Sequence, residues 1–366
     1  MKDLTMTESM KILFISRAYP PVTGGIENQN YALSIWLGRF ASITTIANHH
    51  GKKALLYFIP YVTIRTLFVA HRYDVILLGD GVLSLTGSLV KFFYPKKSVV
   101  SIIHGLDILY KNDFYQAFWV KRFLPSLDGL IAVSKETRAA AIAKNIPEAN
   151  IMVIPNGIDI EALQGNYTRT DLEQLLGENL AGKYVLLTAG RLVKRKGAVW
   201  FIREVLPQLP PTVLYVLAGA GPEEENIRAA IQETSATSRV KMLGRISDED
   251  RNLLLNTADI FIQPNISVPG DMEGFGIAVI EAAACGRPVV ASELEGLKDA
   301  IINNENGLLV ESENSMVFNQ VITALLTDDQ RRDELAKRAR VYTKEHFHWE
   351  VVSKQYAKAL ETFMKK

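Results

Sequence analysis

The sequence predicts an α/β protein made of two tandem, doubly wound, Rossmann-like domains. Three observations carry that prediction. Short continuous apolar runs alternate with helical patterns, which implies parallel sheets covered on both faces. The series ends near residue 157 and restarts at residue 184. The 366 residues, 48% of them hydrophobic, are enough for two packed cores.

The first series of strand-like runs is KILFIS (11–16), SITTIA (42–47), DVILLG (74–79), SVVSIIH (98–104), GLIAVS (129–134) and IMVIPNG (151–157). Helical patterns such as ENQNYALSIWLGRF (27–40) and KETRAAAIAKN (135–145) separate them. The second series is YVLLTAG (184–190), TVLYVLAG (212–219), VKMLG (240–244), DIFIQP (259–264), PVVAS (288–292) and GLLV (307–310). Between the two, residues 159–183 are polar and strandless, and they read as a linker. The expected division is a domain over 10–163, a second over 164–345, and an amphipathic C-terminal helix over 346–366 that packs back toward the first domain. Met10 reads as a second possible start, which makes residues 1–9 a loose tail. Ligands of such sheets bind at the carboxyl ends of the strands where strand order reverses, and two facing domains are expected to share one cleft.

The formal charge of +1 gives no indication of bulk nucleic-acid binding. Charge is uneven, however: residues 1–163 hold 17 Lys and Arg against 12 Asp and Glu, a surplus that fits an anionic surface or substrate. The single cysteine, Cys285, excludes an internal disulfide and fits a reducing compartment. The N-terminus lacks a signal-peptide layout. The most apolar run, ALLYFIPYVTIRTLFVA (54–70), reads as too short and too interrupted by Pro60 and Arg65 to cross a membrane. A cytoplasmic protein is the expectation.

The loops after the strands carry the chemistry. In SRAYPPVTGGIEN (16–28), Gly24 and Gly25 precede a helix, where glycine lets backbone N–H groups approach an anion; an ordinary turn would look the same. In AGRLVKRKG (189–197), Gly190 ends a buried strand and Arg191 and Lys196 follow, a pair suited to a diphosphate. With Lys194 and Arg195 beside them, a solvated basic loop is the other reading. LAGAGPEEENI (217–227) starts like a dinucleotide fingerprint but has Glu224 where the third glycine belongs, which leaves a nicotinamide site poorly supported. In LGRISDEDRNLL, Arg245 and Ile246 follow a strand, and Ser247 with Asp250 resembles a capping box.

The stretch MEGFGIAVIEAAACGRPVV (272–290) sets Glu273 and Glu281 eight positions apart. Gly276 marks a helix start, so the free N–H groups around Phe275 to Ala278 could meet a diphosphate. Glu281, about one and a half turns further on, would need hydrogen bonds if buried, and a ribose diol supplies two donors. Glu273 could accept the hydroxyls of a sugar. Alternatively, Glu273 only favours the helix dipole and Glu281 pairs with a basic neighbour. In IIHGLDILY, His104 and Asp107 follow a strand, and a histidine there can donate a hydrogen bond or move a proton. His49, His50, His346 and His348 lack the context of a metal site.

Taken together, these motifs resemble the retaining family-4 glycosyltransferases, which have the GT-B fold of two Rossmann-like domains facing a central cleft. Glu273 and Glu281 match that family's E-x(7)-E motif, and GRLVKRKG resembles its donor-phosphate loop. GGIE (24–27), HGLD (104–107), SK (134–135), PNGID (155–159) and NGLLV (306–310) stand where the family has similar runs. The resemblance implies that Arg191 and Lys196 hold the donor diphosphate and Glu281 the ribose. Glu273 and the backbone from Gly274 to Ile277 would hold sugar and phosphates. Gly25 would approach the phosphate from the other domain, backbone near Arg245 and Ile246 would meet the base, and Arg251 could reach it. His104 would lie beside the transferred sugar, with Asp107 and Asn156 on the acceptor side.

The implied reaction is metal-independent transfer of a hexose from a nucleotide sugar to a glycan or lipid-linked acceptor, in polysaccharide or glycolipid synthesis. The nucleotide sugar is a co-substrate; no cofactor and no nucleic-acid partner are expected. UDP-hexose is favoured over GDP-mannose. The runs SLVKFFYPKK (88–97) and FWVKRFLPSL (118–127) mix aromatics with Lys and Arg, which fits peripheral contact with an anionic membrane at its inner face; the aromatics could equally be core. A sugar-nucleotide epimerase of the same fold would need paired acids in the first domain, where Glu27, Asp80 and Asp107 look scattered. A non-catalytic sugar-nucleotide-binding protein would have no need of both glutamates and both cations.

Overall fold

The computed structural model describes residues 10–22 and 24–365. The tail expected over residues 1–9 lies outside them. The chain forms two compact units: Met1–Gly157 with Trp349–Lys366, and Ile158–His348.

In the first unit, strands β1 (Lys11–Ser16), β2 (Ser42–Ala47), β3 (Val75–Leu78), β4 (Ser98–Ile103), β5 (Gly129–Ala132) and β6 (Ile151–Val153) form one parallel sheet of order β2-β1-β3-β4-β5-β6. Every residue of β3, β4 and β5 is buried, as two-sided helical cover requires. The principal helices are α1 (Gly25–Leu37), α2 (Leu55–Val69) and α3 (Ser84–Phe93). The C-terminal helix Trp349–Met364 closes this sheet and packs on α1. Glycine is required at both of its footholds. A Cβ on Gly129 would stand 2.3 Å from the Phe363 ring, and one on Gly157 would stand 2.6 Å from Trp349.

The second unit contains β7 (Tyr184–Ala189), β8 (Val213–Ala218), β9 (Val240–Gly244), β10 (Ile260–Gln263), β11 (Val289–Ser292) and β12 (Leu308–Val310), all parallel, in the order β12-β11-β10-β7-β8-β9. That is a Rossmann order with its reversal between β7 and β10. The core of this sheet is cross-tied by Thr188, whose hydroxyl donates to the Ile262 carbonyl at 2.6 Å and lies 2.8 Å from the Tyr215 hydroxyl.

Two expectations need correction. The segment 159–183 is not a linker, because it forms helices Ile160–Leu163 and Arg169–Leu176 within the second unit. Thr168 and Asp171 cap the longer helix reciprocally. Arg169 then bonds Asp259 at 3.0 Å and the Lys183 carbonyl at 2.8 Å. Asn252 and Asn256 each donate at 2.8 Å to the carbonyls of Ala162 and Leu163. The crossing therefore precedes this segment, at Gly157.

The apolar run 54–70 is also longer than it reads. Short 3₁₀ turns at both ends of α2 extend it to a helical run over Lys52–Arg72, whose 21 residues and mean hydropathy of 1.4 suffice to cross a membrane by length and composition. Pro60 does not break it. The position is exposed, so water can satisfy the carbonyl that proline leaves unbonded.

Candidate functional site

At the reversal point of the second sheet, the loops after β7 and β10 meet. Gly197 makes the meeting possible. Its φ is +69°, and a Cβ there would lie 1.8 Å from the Pro264 carbonyl oxygen. Arg195 accepts at its carbonyl from the Ile266 N–H at 2.9 Å, and its guanidinium pairs with Asp271 at 3.1 Å and with Glu273. Lys196 pairs with the same Glu273 oxygen at 2.5 Å, and Asn265 donates to that oxygen at 3.2 Å. The Glu273 N–H donates to Glu295 at 2.6 Å.

Both Glu273 and Lys196 are buried. Burial alone would raise the Glu273 carboxyl, but Lys196 and Arg195 outweigh it and bring it down to about 2. The same burial lowers Lys196, with Glu273 opposing. The arrangement sets two cations on the buried Glu273, with Arg195 also holding the half-exposed Asp271, so that a phosphate could take over Glu273's share of the charge.

The helix Ile277–Ala284 starts at Gly276, which is left-handed with φ +95°. Phe275 is buried against Phe347, and Gly274 stands where a Cβ on Gly296 would be 2.4 Å from its carbonyl oxygen. Ile277 and Glu281 are half-buried. Burial raises the Glu281 carboxyl against the pull of Arg251, and no protein hydrogen bond to it is formed among the described residues. Its acceptor capacity is open.

Arg191 is exposed, and its guanidinium is unengaged among the described residues. Gly190 has φ +129°, and a Cβ on Gly219 would sit 1.8 Å from the Gly190 carbonyl oxygen. Glu224 bonds the Gly221 N–H at 2.9 Å, so the replaced third glycine closes its own turn. Gly244 bridges Gly219, which brings Arg245 (exposed) and Ile246 (half-buried) to the same sheet end.

In the first unit the reversal lies between β1 and β3. Arg17, just after β1, pairs at 2.9 Å with Asp80, just after β3. Asp80 is fully buried and also caps Val82 at 2.9 Å. Asp107, buried, accepts from the N–H groups of His104 at 3.1 Å and Gly81 at 3.2 Å. The His104 ring Nε2 lies 3.0 Å from the Gly79 carbonyl, so it donates there when that nitrogen carries the proton. Burial raises Asp80, with Arg17 opposing and Asp107 adding to the rise. Burial also pushes the Tyr115 hydroxyl far up, helped by Asp107 and Asp80. Asp80 and Asp107 are thus gathered, not scattered, but both carboxylates accept from backbone amides and Asp80 also holds Arg17. Asn156 is buried with its side-chain oxygen unpartnered among the described residues. Gly25 opens α1, and a Cβ there would meet nothing within 4 Å, whereas one on Gly24 would meet the Glu27 carboxylate at 2.3 Å.

Residues 177–342 match the family model described as Glycosyl transferases group 1, and residues 18–162 match the model described as Glycosyltransferase Family 4. A GDP-mannose-dependent alpha-(1-6)-phosphatidylinositol monomannoside mannosyltransferase from Mycolicibacterium smegmatis is 24% identical over 95% of this chain and 98% of its own. The chain is a glycosyltransferase of the GT-B fold.

Another relative of this glycosyltransferase is the N,N'-diacetylbacillosaminyl-diphospho-undecaprenol alpha-1,3-N-acetylgalactosaminyltransferase of Campylobacter jejuni, 30% identical over 65% of this chain and 64% of its own. The solved structure of Anabaena HepE in complex with UDP shares the fold, with a TM-score of 0.77 at 24% identity over 96% of this chain and 100% of that one. Within the glycosyltransferase, Lys196 and Glu273 pair directly, and the Gly274–Ile277 backbone follows Glu273 in the chain. Sequence reasoning passed over Arg195 as part of a solvated loop, and it passed over Arg17 and Tyr115 entirely. The available signal was position: Arg17 and Asp80 each follow a buried strand directly, at the two strands that flank the reversal.

Proposed function

We propose that the enzyme is a retaining family-4 hexosyltransferase that moves a hexose from a nucleotide sugar to a hydroxyl of a glycan or lipid-linked acceptor. UDP-hexose is the favoured donor and GDP-mannose the second. The carrying observation is the buried Lys196–Glu273–Arg195 cluster at the β7/β10 reversal. A donor diphosphate entering there takes over Lys196, aided by Arg191 and the helix amides at Ile277, and these groups stabilise the leaving nucleotide without a metal. Released from Lys196, Glu273 can accept sugar hydroxyls. Glu281 receives the ribose diol, and the Arg245–Ile246 backbone the base, with Arg251 in reach of it. The acceptor side is assigned to the first unit, with His104, Asp107 and Asn156, and peripheral contact with an anionic membrane belongs to the same reading.

The names of the relatives support a nucleotide-sugar donor and lipid-linked acceptors, and the resemblance of the motifs supports retention. A thermal-shift screen of UDP-, GDP- and ADP-sugars tests donor binding, because a ligand at 100 times its Kd stabilises by about 2.7 kcal/mol. One of them should raise the melting temperature of the wild type but far less that of Glu281→Gln, which lacks the carboxylate proposed for the ribose. The anomeric configuration of the product, read by NMR, tests retention.

A further inference from the structure

Helix α2 carries an apolar stripe that the unit leaves uncovered. Tyr57 is 77% exposed and Phe68 74%, with Tyr61 and Ile64 between them at 51% and 58%. Their spacing puts all four on one helical face. The opposite face is committed to the unit's own packing. Val62 and Thr66 are buried, and the Thr63 hydroxyl lies 2.7 Å from that of Thr86 on α3. The Tyr94 hydroxyl donates to the Leu67 carbonyl at 2.8 Å, so the C-terminal ends of α2 and α3 lie together. That brings Phe92, 76% exposed, and Phe93, 59% exposed, to the end of α2 that carries Phe68.

The rim of this face is cationic. Lys52 and Lys53 stand at one end of α2, His71 and Arg72 at the other, and Arg65 on the exposed side, with Lys96 just beyond Phe93. No Asp or Glu occurs from residue 51 to 73 or from 81 to 106. A second copy pairing along this stripe would set lysines against lysines or against His71 and Arg72, in either direction. An anionic surface has the complementary charge. A crossing helix would need apolar surface all round, whereas the Thr63 and Thr66 face is bonded or buried within its own unit.

We propose that α2 lies along the headgroup layer of an anionic bilayer, its Tyr57–Phe68 stripe and the Phe92–Phe93 pair inserted, its lysines and arginines on lipid phosphates. The inference deepens the membrane part of the reading above and keeps donor binding as a separate readout. It adds to the two aromatic-basic runs a helix whose sequence read as too short and too interrupted to cross a membrane.

The test is flotation of the full chain with vesicles of phosphatidylglycerol or of phosphatidylcholine at low salt. The protein floats with the anionic vesicles, and salt weakens binding. Tyr57→Ser/Ile64→Ser/Phe68→Ser lowers partitioning about tenfold or more, and Lys52→Glu/Lys53→Glu lowers it about tenfold. A polarity-sensitive dye on Phe68→Cys shifts to the blue with anionic vesicles; the native Cys285 is buried and stays unlabelled. Equal flotation of wild type and the triple-serine variant, or no flotation of wild type, or an unshifted dye, overturns the proposal. So does a wild-type dimer that the triple-serine variant converts to a monomer in light scattering. A thermal shift with a donor sugar that persists in every variant shows that the fold is intact and that a failure belongs to this inference, not to the donor reading.

Discussion

Glu273 and Glu281 share a motif but hold opposite electrostatic positions, and a pair of amide substitutions separates them. Glu273 sits at about 2 in the folded protein, against 4.5 ordinarily, because two cations outweigh its burial. A carboxylate lowered in this way contributes stability that is present above about 4.5 and lost as pH falls toward 2. Glu273→Gln should therefore lower the melting temperature at neutral pH and flatten its acid decline over that window, as differential scanning calorimetry would show. Glu281 is raised by burial, so its charged form is a cost in the empty protein above its ordinary value. Glu281→Gln should leave the melting temperature unchanged or higher at neutral pH, yet remove most of the stabilisation by a nucleotide. For Lys196→Ala, loss of a charge-stabilising group should lower kcat by about 10²–10³-fold, with smaller change in KM.

Two loops and one helix start set the geometry at the level of elements. Gly197 joins the β7 and β10 loops at a left-handed turn with no space for a methyl group. Gly197→Ala should cost about 1–3 kcal/mol and weaken donor binding at the same time, because the turn presents Lys196. Urea unfolding with and without donor reads both effects. Thr168→Ala removes a capping box on a helix that holds no proposed site residue. It should cost about 1 kcal/mol in the second unit and leave turnover unchanged. The strands were legible in the sequence because parallel strands buried on both faces read as unbroken apolar runs. The Arg169–Leu176 helix was not, because its short polar face hides the period; only the T-x-x-D cap announced it.

On the scale of the whole molecule, the chain leaves the first unit at Gly157 and returns to it at Trp349. Trp349, Tyr356, Leu360 and Phe363 bury themselves in that unit. Truncation after His348 should therefore unfold the first unit while the second keeps its amide protection. Hydrogen exchange resolved by peptide would show protection lost over β1–β6 only. The outcome would be overturned by equal loss in both units.

The sequence by itself determined the two sheets, their parallel strands and which loops carry the glycines and charges, since burial period, glycine and charge at strand ends are local properties. Only the tertiary structure decided which cations serve Glu273. Arg195 and Arg191 lie four residues apart in one basic loop, and a turn at Gly197 gives the buried partnership to Arg195 and leaves Arg191 in solvent. Strand order likewise brought Arg17, Asp80 and Asp107 together across 90 residues of chain, because which strand ends become neighbours is set by sheet topology and not by anything a local window contains.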